Sequence, residues 1–376
     1  MSVALVLFEW FEHGGLQRDC RRIAQCLIDK GMAVTVICMS RKGPSPEGIR
    51  WLVPKLPDKS RVARRRIFAS YVMTQKKNFT LVVGCNRVPG LDIYFAADTC
   101  FAWKATRERP WYYRLAARSR QYLAFEKALF GPGSTARLLM LSPQQKEEYL
   151  ACYPDAAGRM TDLPPGIARD RAAGPDAAAL RSSLRTEYGL EDDELLVLQV
   201  GSGFSIKGLD RSLAAIAALP EPVRGRTRLF IIGRDDPDHY RTRAQALGIG
   251  DRVVFLAGRD DLPRYYQGAD LLLHPSRKES AGMVILEAIV AGLPVLTTAS
   301  CGYAFHVMAA QAGLVVPEPF SQQALNDALA AMLVSGQRMA WRDSGIAYGR
   351  TADLYSMHEH VADLIINRVQ EKQSDR

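Results

Sequence analysis

The chain has 376 residues, of which 48% are hydrophobic and 24% are charged, and its formal net charge is +9. This length favours two domains of roughly 150–200 residues, and the composition is typical of a globular protein. No stretch approaches the roughly 18 apolar residues of a spanning helix, and the seven cysteines form no Cys-x-x-Cys pair, which argues against a transmembrane protein, a disulfide scaffold and a zinc site.

The first predicted element is a buried strand at residues 3–8, which is not the basic and apolar pattern of a signal peptide. The loop at 12–19 carries Gly14-Gly15 and runs into a helix. Paired glycines at a strand-to-helix turn allow another molecule to approach the backbone closely. The full Gly-x-Gly-x-x-Gly of a dinucleotide site is absent, which counts against a dehydrogenase.

Positive charge is concentrated in the first half of the chain. Residues 1–165 hold 26 Lys and Arg against 14 Asp and Glu, whereas residues 166–376 hold 23 against 26. Segment 59–77 has seven basic residues and no acid, and segment 101–130 has eight aromatics and seven basic residues against two acids. Trp and Tyr favour the bilayer interface and Lys and Arg favour anionic headgroups, so these segments predict peripheral contact with an anionic membrane. Nucleic acid binding and plain solvated helices are the alternatives.

Two strands are predicted between these basic segments, at 81–86 and 92–98. Asp98 ends the second strand, where it could orient or deprotonate an attacking hydroxyl, although an Asp that caps a loop is an equally good interpretation. Residues 137–142 are predicted as the last strand of this half. The proline-rich stretch 161–167 is predicted to cross to a second domain, and Arg171 follows it within reach of a diphosphate.

The second half alternates strands and helices. Strands are predicted at 195–200, 229–232, 253–256, 271–274, 295–297 and 314–316, which indicates a parallel doubly wound sheet with ligands at the carboxyl ends of its strands. Lys207 follows the first of these strands, where its ammonium could neutralise a leaving diphosphate; an ordinary loop lysine is the alternative. Arg259 follows the third strand.

The segment 270–298 has the order strand, loop, helix, strand. Ser280, Ala281 and Gly282 are predicted where the helix begins, so their backbone N–H groups are available to a phosphate, which the helix dipole also favours. Glu279 in the loop and Glu287 inside the helix flank this anion site, and a buried acid needs a hydroxyl-rich or cationic partner. The pattern predicts a sugar-nucleotide site, with two solvated surface acids as the alternative.

The Glu-x7-Glu spacing followed by AGLPVLTT resembles the donor-binding signature of the retaining glycosyltransferases with the GT-B fold. The resemblance implies that Glu279 faces the donor sugar, that Glu287 binds the ribose, and that the backbone at Ala281, Gly282 and Met283 lies in the donor site. It also implies that Gly15 abuts the diphosphate and the acceptor, with Asp19 a candidate for sugar hydroxyls, and that Arg259 lies near the base.

The whole chain resembles the branch of this family that adds the first glucose to the inner-core heptose of lipopolysaccharide. The motifs that carry this resemblance are GGLQRD (14–19), PGLDIYFAAD (89–98), LPPGI (163–167), LQVGS (198–202), KGLDRS (207–212), DLLLHP (270–275), LEAIVAGLPVLTTASCGYA (286–304) and PFSQQALN (319–326). Two positions depart from the wider family, because Ser202 and Ile206 stand where basic residues are common. Lys207 would then carry more of the phosphate charge, with Arg171 in support.

The resemblance implies UDP-glucose as donor, a lipid-linked core oligosaccharide as acceptor, no metal, no nucleic acid partner, and a cytoplasmic enzyme peripheral to the inner membrane. It implies an α/β GT-B fold with two Rossmann-like domains facing across a cleft. The predicted domains are an acceptor-binding domain at 1–163, a nucleotide-sugar domain at 164–350, and a C-terminal helix at 351–376 that packs back on the first domain.

The spacing of the two carboxylates bears on the mechanism. Residues eight apart in one straight helix lie roughly 12 Å apart, whereas a retaining glycosidase needs its two carboxylates about 5–5.5 Å apart. Glu279 and Glu287 are therefore not an acid–nucleophile pair, and we predict front-face transfer with Lys207 stabilising the departing UDP. Another UDP-sugar, another lipid-linked acceptor, and a GT-B epimerase or phosphorylase stay open as alternatives.

Overall fold

The structure is a computed structural model that describes residues 2–12, 14–44 and 46–374. Its backbone contacts divide it into two compact units: Met1–Gly166 together with Ser356–Arg376 (unit 1), and Ile167–Tyr355 (unit 2). The domain boundaries suggested by the sequence, at 163/164 and 350/351, fall close to these positions. None of the helices in the described part of the chain is long and apolar enough to cross a bilayer.

Unit 1 contains a seven-stranded parallel sheet. Its strands are β1 (Ser2–Trp10), β2 (Ala33–Arg41), β3 (Ile49–Leu52), β4 (Leu81–Gly84), β5 (Ile93–Phe95), β6 (Arg137–Met140) and β7 (Met160–Asp162). They lie in the order β3-β2-β1-β4-β5-β6-β7. The central strands are continuous apolar runs, because helices cover a parallel sheet on both faces.

The helices of unit 1 are α1 (Gly15–Asp29), α2 (Arg61–Gln75), α3 (Phe101–Trp103), α4 (Ala117–Phe130), α5 (Pro143–Cys152) and the C-terminal α15 (Met357–Ser374). Helix α15 buries Met357, Val361, Ile365 and Val369, which recur every four residues and therefore share one face. This face packs against α1. The return of the last helix to the first half of the chain agrees with the predicted fold class.

The structure corrects one prediction for unit 1 and adds detail to another segment. The last strand of this half is β7, and the prediction that residues 137–142 are the last strand is wrong, because a three-residue edge strand has too few residues for a periodic signal. Segment 101–130 consists of four separate helical elements. In chain order they are α3, a π-helical turn Lys104–Glu108, a 3-10 turn Trp111–Leu115 and α4.

Unit 2 contains a six-stranded parallel sheet, as predicted. Its strands are β8 (Leu195–Val200), β9 (Thr227–Ile232), β10 (Val253–Leu256), β11 (Leu271–His274), β12 (Val295–Thr298) and β13 (Gly313–Val316), in the order β10-β9-β8-β11-β12-β13. Its helices are α6 (Ala177–Glu187), α7 (Leu209–Ala217), α8 (Glu221–Arg224), α9 (Asp238–Ala246), α10 (Leu262–Gly268), α11 (Met283–Val290), α12 (Ala304–Ala309), α13 (Gln322–Val334) and α14 (Arg338–Thr351). The two Rossmann-like sheets confirm the predicted α/β class.

Candidate functional site

The strand order of unit 2 reverses between β8 and β11, and ligands of doubly wound sheets bind at the carboxyl ends of such neighbouring strands. The loops that follow these two strands are joined by hydrogen bonds. The backbone N–H of Arg277 donates to the carbonyl of Ile206 at 2.8 Å, and the Ser276 hydroxyl donates to the same carbonyl at 3.0 Å. The fold therefore brings loop 201–208 and loop 275–282 to one place.

Lys207 and Glu279, one from each loop, form an ion pair. The Lys207 Nζ lies 2.7 Å from Glu279 Oε2, and both side chains are largely buried. Gly201, at the end of β8, has a φ of +128°, and a Cβ there would lie 3.0 Å from the Lys207 Cε. Glycine at this position therefore both allows the turn and leaves room for the lysine stem. The two residues predicted to carry the donor-site charge are thus in direct contact.

His274 completes the surroundings of the Glu279 carboxylate. Its Nε2 lies 2.6 Å from Glu279 Oε1, and the imidazole is fully buried at the last position of β11. Burial alone would raise the pKa of Glu279, but the charges of His274 and Lys207 and their hydrogen bonds outweigh burial and hold it well below the ordinary value. The carboxylate is therefore ionised and acts as a hydrogen-bond acceptor. Sequence analysis missed His274, although its place at a strand end was a usable signal.

The turn between Glu279 and α11 exposes the start of a helix. Gly282 is the residue before the helix, with a φ of +108° and no side chain capping the helix. The chain leading into it is fixed by backbone bonds, since Tyr303 N–H donates to the carbonyl of Ala281 at 2.8 Å and Gly302 N–H to that of Glu279 at 3.1 Å. The first N–H groups of a helix have no intrahelical acceptor, so Gly282, Met283 and their neighbours suit an anion.

Glu287 lies in the second turn of α11, and its side chain is almost fully buried. The Tyr266 hydroxyl donates to its Oε2 at 2.8 Å, and the Nε of Arg171 lies 3.7 Å from its Oε1. Arg171 and Glu287, which were predicted separately, are therefore brought together. Tyr266 was missed, because a tyrosine inside a short buried helix gives no sequence signal for this contact.

Arg259 follows β10 and faces its own loop. Its guanidinium forms two hydrogen bonds of 2.9 Å with the Asp261 carboxylate and lies over the Tyr265 ring at 5.4 Å from the centroid. These contacts hold the loop after β10 in place, and this loop would line a pocket for the nucleotide base. Its predicted contact with a nucleotide base stays a prediction.

Gly15 and Asp19 lie in α1 of unit 1. Gly15 is the first residue of the helix, and, its chain neighbours and own helix backbone aside, no atom of the described residues lies within 4 Å of where its Cβ would be, so the backbone there is open to a ligand. Asp19 is buried, and its Oδ1 lies 3.1 Å from His358 Nε2 on α15. The Asp19 carboxylate therefore links the two helices, and its role toward sugar hydroxyls stays a prediction.

Asp98 follows β5, and neighbouring side chains of unit 1 contact both its carboxylate and its backbone carbonyl. The Tyr94 hydroxyl donates to its Oδ2 at 3.1 Å, and the Arg87 Nε lies 3.5 Å from the same oxygen. Its backbone carbonyl accepts from Gln145 Nε2 at 2.9 Å and from the Tyr149 hydroxyl at 3.2 Å. About a third of the side chain stays exposed, so a fixed carboxylate is presented outward.

Behind Asp98 lies a buried carboxylate that sequence analysis did not single out. Glu126 is fully buried and accepts hydrogen bonds from the backbone N–H of Phe101 at 2.7 Å and of Ala102 at 2.8 Å. It also forms an ion pair with Arg87. Glu126 therefore fixes the start of segment 101–130 to the arginine that contacts Asp98.

The donor-site cluster also contains three groups that a metal ion could use. Ligand atoms of His274, Glu279 and Cys301 all lie within 4.8 Å of one another. However, the Lys207 ammonium already contacts the Glu279 carboxylate, so a second cation there would be repelled. Burial raises the pKa of the Cys301 thiol to about 12, so a metal that bound this thiol would have to displace its proton. The Lys207 ammonium therefore already takes the place that a metal ion would have beside Glu279.

Comparison with known proteins bears on both units. Residues 181–346 match the family described as Glycosyl transferases group 1. The chain is 42% identical to the lipopolysaccharide glucosyltransferase WaaG of Escherichia coli, over 97% of this chain and 98% of that protein. It is similar to a crystal structure of WaaG, described as a glycosyltransferase involved in lipopolysaccharide biosynthesis, with a TM-score of 0.91 over 96% of this chain and 99% of the other, at 42% identity. It also shares the fold of Anabaena HepE in complex with UDP-glucose, with a TM-score of 0.73, 16% identity, and coverage of 98% and 99%.

Proposed function

The chain belongs to the group 1 glycosyl transferases, and on that premise we propose that it transfers glucose from UDP-glucose to the inner-core heptose of lipopolysaccharide with retention of configuration. Membership confirms the predicted glycosyltransferase class and GT-B fold. The relative from Escherichia coli is a lipopolysaccharide glucosyltransferase, which supports lipopolysaccharide as the acceptor class and glucose as the sugar. The observation that carries the proposal is the Lys207–Glu279 ion pair beside the first turn of α11.

The donor would bind along loop 275–282 and α11. Its diphosphate would accept hydrogen bonds from the N–H groups of Gly282 and Met283 and from the Lys207 ammonium, which together offset the negative charge. The ribose hydroxyls would donate to Glu287, whose carboxylate Tyr266 holds in place. The hexose hydroxyls would donate to Glu279, which is ionised because His274 and Lys207 lower its pKa.

The proposed reaction takes place on one face of the sugar. The acceptor hydroxyl oxygen forms a bond to the anomeric carbon while the bond from that carbon to the UDP oxygen breaks, and the hydroxyl proton passes to the departing diphosphate. Lys207 stabilises the negative charge that develops on the leaving oxygen. Glu279 does not act as an acid here, because its pKa is held too low for it to carry a proton.

The acceptor would be bound by unit 1. We assign Gly15 to the close approach of diphosphate and acceptor, since its surroundings are open, and Asp98 to the orientation of the acceptor hydroxyl. Asp98 suits this role because Tyr94 and Arg87 hold one of its oxygens and leave the side chain partly exposed. Asp19 is the weaker candidate, because His358 already contacts its carboxylate.

A UDP-release assay separates the proposal from its alternatives. The protein is incubated with UDP-glucose, UDP-galactose or UDP-GlcNAc, each with and without heptose-terminated lipopolysaccharide. We expect UDP release that needs both UDP-glucose and the acceptor. Faster release from another UDP-sugar would reassign the donor, and conversion of UDP-glucose without acceptor would instead favour an epimerase.

We also propose that unit 1 contacts an anionic membrane on the cytoplasmic face, as segments 59–77 and 101–130 predict. The two segments are adjacent, since Gln121 Nε2 on α4 donates to the carbonyl of Val62 on α2 at 2.7 Å. Fewer apolar side chains are available for contact with the membrane than the sequence suggests. Phe101 and Phe130 belong to the core, and the exposed apolar residues of segment 101–130 are Trp111 (69% exposed), Tyr112 (61%) and Leu115 (61%).

Replacing Trp111 and Leu115 together by alanine is expected to reduce sedimentation with anionic vesicles several-fold, because both side chains would lose burial in the interface. The measurement is co-sedimentation with phosphatidylglycerol vesicles at low and high salt. The matched control is Phe305→Ala, which removes a 45% exposed aromatic from unit 2 and should leave binding unchanged. Equal binding of the double variant and the wild type would contradict the assignment.

Activity is expected to persist after metal removal, since Lys207 supplies the cation that a metal would otherwise supply. The protein is treated with EDTA and its rate of UDP release is compared with that of untreated protein. We expect the two rates to agree within about twofold, with no stimulation by Mg²⁺ or Mn²⁺. A loss of activity that a divalent metal restores would show that the metal-free assignment is wrong.

A further inference from the structure

Unit 2 contains a cavity at the end of its sheet opposite to the candidate donor site. Its volume is about 430 Å³, and its lining includes Asp270 and Pro294, which immediately precede β11 and β12. Lys207 and Glu279 lie beyond the carboxyl ends of the strands, whereas this cavity lies at the amino ends. Helices α6, α10 and α14 form its other walls.

The walls of this cavity carry more arginines than acids. The acid is Asp270, and its Oδ1 accepts a hydrogen bond of 2.7 Å from Arg181. A guanidinium nitrogen of Arg185 lies 3.6 Å from the Asp270 carboxylate, and one of Arg338 lies 3.9 Å from it. The other Asp270 oxygen accepts from the backbone N–H of Leu196 at 2.8 Å. Arg342 also lines the cavity and forms no ion pair within the described residues. The cavity therefore has a positive charge surplus.

A buried polar group also faces this cavity. Gln267, the next-to-last residue of α10, is 4% exposed and lines the cavity. Its Oε1 is buried and has no hydrogen-bond donor among the described residues. A buried amide without this partner is costly, so the Gln267 side chain, which lines the cavity, could gain a hydrogen bond from a polar group of a ligand. This observation is independent of the arginines and points to the same cavity.

We propose that this cavity binds a phosphorylated sugar, with the phosphate on Arg342 and Arg338 and a sugar hydroxyl hydrogen-bonded to the Gln267 amide. Guanidinium groups bind phosphate through charge-assisted hydrogen bonds, and Arg342 is available for this because no carboxylate of the described residues pairs with it. The volume is within the range of pockets for small molecules, about 300–1,000 Å³. The site is distinct from the donor site and does not depend on the identity of the donor.

Isothermal titration calorimetry tests this site with glucose 6-phosphate, inorganic phosphate and glucose as probes. Saturating UDP is present throughout, so that the donor site is filled. We expect glucose 6-phosphate to bind with a stoichiometry of one, inorganic phosphate to bind more weakly, and glucose to give no signal. No binding of either phosphate compound at millimolar concentration would overturn the proposal, and so would binding of glucose 6-phosphate that is seen only when UDP is left out.

Two variants assign the contacts. Arg342→Ala is expected to weaken glucose 6-phosphate binding by about tenfold or more, the effect of losing a hydrogen bond to a charged group. Gln267→Leu should weaken glucose 6-phosphate binding but leave inorganic phosphate binding unchanged. Arg243→Ala, which removes the same charge from the exposed face of α9, is the matched control and should bind as the wild type does. Equal losses in Arg342→Ala and Arg243→Ala would also overturn the assignment, and unchanged UDP affinity verifies that each variant is folded.

Discussion

Lys207→Ala is expected to lower kcat for UDP release by about 10² or more, comparable to the loss of an oxyanion-hole donor. The lysine ammonium lies at the switch point of unit 2, largely shielded from water, where a charge stabilises a developing anion more than it would in solvent. The effect should appear mainly in kcat, because the negative charge on the leaving oxygen increases as the glycosidic bond breaks.

The experiment must separate an effect on the catalytic step from an effect on folding, because Lys207 also neutralises the buried Glu279. The double variant Lys207→Ala, Glu279→Gln removes the unpaired carboxylate, so it should regain thermal stability without regaining rate. Arg243→Ala is the matched control, since it removes a cation from the exposed face of α9. A decrease in kcat of less than about threefold in Lys207→Ala would remove this lysine from the mechanism.

Glu126→Ala is expected to destabilise unit 1 by about 3–5 kcal/mol, the usual effect of removing one partner of a buried ion pair. The variant would leave the Arg87 guanidinium buried beside an empty space and would leave the N–H groups of Phe101 and Ala102 without an acceptor. The measurement is urea unfolding, followed by tryptophan fluorescence.

The matched control for this measurement is Glu147→Ala, an exposed acid on α5 that should change stability by no more than about 0.5 kcal/mol. Loss of the Glu126 contacts should also weaken vesicle binding, because segment 101–130 begins at those two N–H groups. If Glu126→Ala unfolds at the same urea concentration as the wild type, the buried network does not organise this segment.

The periodic features of the fold could be predicted from the sequence, because they depend on local patterns. The strand–helix alternation of unit 2 indicated the parallel sheet, whereas the return of the last helix to the first domain was implied by the family resemblance. Loop positions after strands indicated Lys207 and Glu279, since parallel strands place the residues after them at one edge of the sheet. The structure adds that the two side chains are in contact at 2.7 Å.

The rest depends on contacts between residues far apart in the sequence. The Tyr266 hydroxyl and Glu287 are 21 residues apart, and Arg87 and Glu126 are 39 apart, so no periodic pattern connects them. Aromatic content was also misleading in segment 101–130, because composition does not separate core residues such as Phe101 from exposed ones such as Trp111. Short edge strands such as β7 escape prediction for a similar reason, since their pairing is decided by the neighbouring strand.

The most direct measurement is a crystal structure of the protein with UDP. We expect the diphosphate within hydrogen-bonding distance of Lys207 Nζ and the backbone N–H groups at Gly282 and Met283, with the ribose hydroxyls on Glu287. The nucleotide bound at any position away from residues 279–287 would contradict the assignment of this site.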